Sequence, residues 1–171
     1  NLDAAEQEFL SAITLSPSFS VSYNNLGSLY ALKNDYPRAL EAHFKAVSRN
    51  PFFARAWFNL GLDYRMLNRT QDAITAYRAA IGLDASYVSP LVNLGSLYLS
   101  ENRTGDAIAL FSRAHDLDKE NPEILFNLGF AYLKREDYQT ALSFFEKAAK
   151  YDPHSEKIAY FISRTRELTE S

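Results

Sequence analysis

The tripeptide Asn-Leu-Gly occurs four times in this chain, beginning at Asn25, Asn59, Asn93 and Asn127, and each step between these positions is 34 residues. A Tyr stands three residues after each glycine, at Tyr30, Tyr64, Tyr98 and Tyr132. An Ala column follows at Ala39, Ala73, Ala107 and Ala141, and a second at Ala46, Ala80, Ala114 and Ala148. A fixed period of this size restricts the chain to a repeat architecture, in which one supersecondary unit is stacked many times. Each period carries two stretches with helical apolar spacing, split by a short polar turn.

The bulk properties narrow the class further. Of the 171 residues, 47% are hydrophobic and 23% charged, with a formal net charge of −3. That balance is ordinary for a globular protein and lacks the basic face that nucleic acid demands. No apolar run is long enough to cross a bilayer. The absence of cysteine excludes a disulfide framework and thiolate-held metals, and leaves the compartment open, with the cytoplasm favoured. Asn1 is not an initiator Met, and the only Met is Met66, so the chain reads as an excised fragment or a processed product.

These columns resemble the tetratricopeptide repeat family. The large residue three before the Leu is Tyr23, Trp57, Leu91 and Leu125, and the aromatic site between the Ala columns is His43, Tyr77, Phe111 and Phe145. Pro51 and Pro153 fill the closing position, but Ala85 and Lys119 replace it in the other two repeats. The resemblance implies an all-α, right-handed superhelical solenoid of antiparallel helix pairs. It divides the chain into the second helix of a truncated repeat (1–19), repeats at 20–53, 54–87, 88–121 and 122–155, and a capping helix with a tail (156–171).

Within each repeat, helix A is expected at about 20–33, 54–67, 88–101 and 122–135, and helix B at about 37–50, 71–84, 105–118 and 139–152. Asn34, Asn68 and Asn102 suit a left-handed turn between them. Glu136 in the fourth is expected to strain or reshape that turn. Pro37 suits a first helical position. Asn121 before Pro122 and Ser155 before Glu156 read as N-caps. Ser89 before Pro90 reads likewise, which predicts a late start for the third A helix. The first helix, about 2–15, should present an uncovered face of Leu2, Ala5, Phe9 and Ala12, covered in a longer parent chain or by another copy.

At about 100° per residue, positions 4, 7, 8 and 11 of each repeat form the packing face of helix A. Positions 2, 5, 6, 9, 12 and 13 fall opposite, on the side that the family resemblance makes a concave, ligand-binding groove. Position 6 is Asn in all four repeats: Asn25, Asn59, Asn93 and Asn127. Around it stand Arg55, Phe58, Leu62, Arg65, Met66, Val92, Leu99, Phe126 and Phe130, with Lys134, Lys157 and Phe161 in the same columns. An apolar strip where polarity is free marks a binding surface. Asn can accept and donate at once, which suits pairing with the backbone of an extended peptide. Local bonding between neighbouring helices is the alternative use of the same column. The ladder is similar to the groove of O-GlcNAc transferases and of the peroxisomal import receptor. The chaperone-tail clamp of the family is not matched, since only Asn and one Lys fit its pattern.

Catalytic chemistry has no foothold in this reading. His43 falls in the aromatic packing column, His115 lies beside Asp116 on a helix surface, and His154 lies in a loop. No spacing suits a metal, no cofactor motif occurs, and four of the six glycines fill the packing column. Asn68-Arg69-Thr70 and Asn102-Arg103-Thr104 match a glycosylation sequon but are explained by turn chemistry. The sequence therefore points to a non-enzymatic module that binds an extended peptide of a protein partner. A structural scaffold that self-associates or docks other domains, and the substrate-selecting arm of a larger enzyme, remain the alternatives.

Overall fold

The computed structural model describes residues 2–170. Among these residues the chain is entirely helical: α1 (Leu2–Leu15), α2 (Ser20–Leu32), α3 (Tyr36–Arg49), α4 (Ala54–Met66), α5 (Thr70–Leu83), α6 (Val88–Ser100), α7 (Thr104–Leu117), α8 (Pro122–Lys134), α9 (Tyr138–Tyr151) and α10 (Glu156–Thr169). It divides into two compact units, Asn1–Pro90 and Leu91–Ser171. In the first, α1 packs on α2, α2 on α3, α3 on α4 and α4 on α5. In the second, α7 packs on α8, α8 on α9 and α9 on α10. Helices that pack on their neighbours in sequence make a helical solenoid.

The spacing of small and large residues sets this packing. A Cβ at Gly27, Gly61, Gly95 or Gly129 would lie 2.6, 2.5, 2.6 or 2.7 Å from the ring of His43, Tyr77, Phe111 or Phe145 respectively. The ring from helix B thus occupies the space that a side chain on helix A would need. The alanines of both columns are fully buried, which lets the helices close on one another. In the first unit, Tyr23, Ala46, Val47, Ala56 and Leu60 form one cluster, and Trp57 packs beside it and donates its indole N–H to the Pro51 carbonyl at 2.8 Å. In the second, Leu125, Phe126, Ala141, Phe145, Ala148 and Ile158 form the core. Each Tyr of the repeat column carries an arginine over its ring: Arg38 on Tyr30, Arg69 on Tyr64, Arg103 on Tyr98 and Arg135 on Tyr132, at 4.3, 4.6, 3.8 and 5.5 Å.

The helix ends differ from expectation in instructive places. α6 begins at Val88, not late, because a Pro at its third position removes an amide that has no intrahelical partner in the first turn. α3 begins one residue before Pro37, with Asp35 accepting from the Arg38 amide, a cap the sequence reading missed. Asp137 caps α9 in the same way through the Thr140 amide. Asn121 and Ser155 cap α8 and α10 as expected. Asn34, Asn68 and Asn102 take φ of 59°, 58° and 60°, and Glu136 adopts the same turn at 63° instead of reshaping it.

The face of α1 is not bare. Ala5, Phe9 and Ala12 are half-buried, and Ala5, Phe9 and Ile13 pack against the cluster of Leu26, Leu29, Tyr30, Ala39 and Ala42. Leu2 stays 45% exposed, and no residue of α1 is fully buried. Charge supplements this thin contact. Lys33 reaches Asp3 at 2.7 Å and Glu6 at 2.6 Å, while the Tyr30 hydroxyl donates to Glu6 at 3.0 Å.

Candidate functional site

Each unit holds a cavity whose walls come from the A helices. In the first unit a cavity of about 450 Å³ is lined by Ser28, Ala31 and Leu32 of α2 and by Asn59, Leu62, Asp63, Arg65 and Met66 of α4, with Tyr36 and His43 of α3. In the second a cavity of about 440 Å³ is lined by Ser96, Leu99 and Ser100 of α6, Phe126, Asn127, Phe130 and Lys134 of α8, and Lys157 and Phe161 of α10. With three exceptions, all in the first cavity (Tyr36, His43 and Asp63), these residues occupy repeat positions 2, 5, 6, 9, 12 and 13.

The first cavity rests on a polar floor. His43 and Asp63 are both buried, and the imidazole Nδ1 meets the Asp63 carboxylate at 2.5 Å. Burial pushes the Asp63 carboxyl up, against the opposing pull of its hydrogen bond to His43. Ser28 Oγ stands 3.4 Å from His43 Nε2. Ser28, His43 and Asp63 thus stand in the order of a hydrolytic relay, but the chemistry is missing. The Ser28 hydroxyl donates to the Asn24 carbonyl at 3.0 Å, and its own amide lies inside α2, where it cannot stabilise an oxyanion. The trio is a hydrogen-bonded network in which His43 and Asp63 are buried and Ser28 is half-buried.

The second cavity is aromatic and cationic. Phe126 and Phe130 are stacked with ring centroids 6.3 Å apart, and Phe161 stands edge-on to both at 5.2 and 5.5 Å. Phe126 also leans on Phe145, which ties the cavity wall to the core. Lys157 Nζ lies 3.8 Å from the Phe126 ring centre.

The expected site residues separate into those that line a cavity and those that do not. Asn59, Leu62, Arg65 and Met66 line the first, and Leu99, Phe126, Asn127 and Phe130 line the second. Asn25, Arg55, Phe58, Val92 and Asn93 line neither. The open apolar strip needs correction: Val92, Leu99 and Phe126 are 8%, 7% and 6% exposed. Positions 5 and 12 lie three and four residues from position 8 and therefore share its side of the helix. Phe58 is half-buried against Tyr77 and Tyr87, with centroids at 5.8 and 5.2 Å. The Asn column is not uniform either. Asn59 donates to Asn24 Oδ1 at 2.9 Å, the local bonding that the sequence left open, while Asn127 faces its cavity.

Asp63 is the residue that sequence reasoning missed. Its signal was present, for position 10 is Leu29, Leu97 and Ala131 in the other repeats, and a charge there breaks an apolar column. His43 is buried in the packing column as expected, and His115 is half-buried at the helix surface with its ring edge-on to Phe144. Among the described residues no three His, Cys, Asp or Glu groups gather to hold a metal ion, and no helix is long and apolar enough to cross a membrane.

No curated protein sequence matches the chain. Solved structures do match. The crystal structure of MamA is 24% identical and covers 89% of each chain with a TM-score of 0.82. YrrB, described as a tetratricopeptide repeat protein with an unusual peptide-binding site, is 22% identical over 95% of this chain and 84% of its own, with a TM-score of 0.83. PilF of Pseudomonas aeruginosa is 19% identical over 99% of this chain and 84% of its own, with a TM-score of 0.84. At these identities the likeness is one of fold. Sequence models of the tetratricopeptide repeat match residues 33–88, 95–135 and 122–155. With the Asn-Leu-Gly period and the stacked helix pairs, these matches make the chain a member of the tetratricopeptide repeat family.

Proposed function

We propose that the protein is a protein–protein interaction module that holds an extended segment of a partner on the outward columns of its A helices. The family is one of interaction modules and is typically non-catalytic. The observation that carries the finer reading is the origin of the cavity walls. Positions 6, 9 and 13, which lie away from the packing glycine, supply half or more of the lining in both units. Their side chains pair apolar surface with a small number of polar groups, the composition of a binding site. The peptide-binding site of YrrB, a protein of the same fold, agrees with this reading.

The test is selection from a random peptide library displayed on phage, followed by chemical-shift mapping of a selected peptide. Shifts should concentrate on Asn59, Leu62 and Met66 or on Asn127 and Phe130. Asn127→Ala should weaken a peptide held in the second cavity about fivefold, because one hydrogen bond is worth about 1 kcal/mol net. Peptides that shift only B-helix residues, or no enrichment at all, would remove the groove reading.

A further inference from the structure

We infer that the cavity of the second unit selects an acidic segment of a partner protein, one large apolar side chain entering it between flanking Asp or Glu residues. This rests on the interaction reading above and specifies the partner of one of its sites.

The apolar half of the inference follows from the three phenylalanines. Phe126, Phe130 and Phe161 meet at 5.2 to 6.3 Å in one stacked and two edge-on pairs and line a cavity of about 440 Å³, with Phe126 itself largely buried beneath Lys157. A cavity of this size takes an aromatic or large aliphatic side chain with room for neighbouring backbone. Asn127 stands in the same lining, where its amide can meet a peptide N–H or C=O.

The acidic half follows from charge. Lys134 and Lys157 are the only charged residues in the lining, and neither has an ion-pair partner among the described residues. Two acids, Glu123 and Asp152, share a neighbouring hollow with Lys157, but no ion pair joins them to it. Lys157 also sits in the first turn of α10, where the helix dipole disfavours a cation. Its ammonium rests over the Phe126 ring instead, which leaves the charge without a carboxylate. A carboxylate brought beside it would gain from the ammonium and from the end of the helix together. The first cavity offers no such field, because its charged residues include both Arg65 and the buried Asp63. The two sites are thus chemically distinct, and only the second favours acid.

The experiment runs the same phage library on the wild-type protein and on the K134Q/K157Q variant, with circular dichroism confirming that the variant is folded. Fluorescein-labelled copies of the selected peptides are then titrated at low and high salt. Wild-type selections should pair a large apolar residue with Asp or Glu, and replacing those acids by Asn and Gln should weaken binding about tenfold. Affinity should fall as salt rises. Selections on the variant should keep the apolar residue and lose the acids. Peptides without acids from the wild type, or acidic peptides that bind the variant equally well, overturn the inference and leave the interaction reading intact. An absence of binders to either protein overturns both.

Discussion

At the scale of single residues, the glycines divide into two kinds with opposite expected behaviour. Gly61 lies beneath the Tyr77 ring, so Gly61→Leu has no space and should cost about 1–3 kcal/mol in denaturant unfolding. Gly82 and Gly105 are helical, exposed, and meet nothing within 4 Å of an added Cβ. Gly82→Ala and Gly105→Ala should each raise stability, by up to about 0.5–1 kcal/mol, through lost freedom of the unfolded chain. Glu136 offers a similar gain. It holds φ at 63° without the side-chain amide that eases Asn34, Asn68 and Asn102 into the same region. Glu136→Asn should stabilise by about 1 kcal/mol, read as a higher midpoint with an unchanged denaturant slope. Equal stability of the two would mean that the turn carries no strain.

At the scale of helices, the His43–Asp63 pair joins α3 to α4 by a buried hydrogen bond where Phe9 and Leu29 occupy the corresponding positions one repeat earlier. Removing either partner strands the other, so Asp63→Ala should cost about 3–5 kcal/mol. The double variant His43→Phe/Asp63→Leu restores an apolar contact and should be neutral, or more stable by about 1–4 kcal/mol. Burial raises the Asp63 carboxyl above its unfolded value, so its contribution to stability is fully present below that value and is lost as pH rises. The advantage of the double variant should therefore widen from acid through the carboxylate range, as measured by unfolding at several pH values. The helices themselves were legible in the sequence because Gly, Ala and aromatic columns repeat in one register. The caps at Asp35 and Asp137 were less legible, since the cap depends on where the chain turns and not only on which residue precedes a Pro. The candidate site was half legible. Val92, Leu99 and Phe126 lie three or four residues from the packing-face glycine, so the helical angle sets them on its flank, where they are buried, and not on the outer side that the sequence reading gave them. The cations of the second cavity fall in the outward columns and were legible as such, but that Lys134 and Lys157 share one lining depended on where α10 folds.

At the scale of the whole chain, stability should be uneven. α1 buries no residue completely and is held by half-buried contacts and by Lys33 bridging Asp3 and Glu6. The hydrogen bonds from Lys33 hold both carboxyls below their usual range. Such groups stabilise above their unfolded values and lose that contribution as pH falls through the carboxylate range. Amide exchange in α1 should therefore be faster than in α2–α4 at neutral pH, and the gap should widen on acidification. Simultaneous loss of protection in α1 and α2 would show that apolar contact alone holds α1. The placement of the indole adds an optical consequence. The chain contains one Trp and eleven Tyr, and that Trp, half-buried on α4 and bonded to Pro51, belongs to the first unit. Emission excited at the red edge of tyrosine absorption comes from the first unit alone, whereas circular dichroism averages every helix. A melt followed by both signals would show directly, with no label and no substitution, whether the two units lose their structure in one transition or in two.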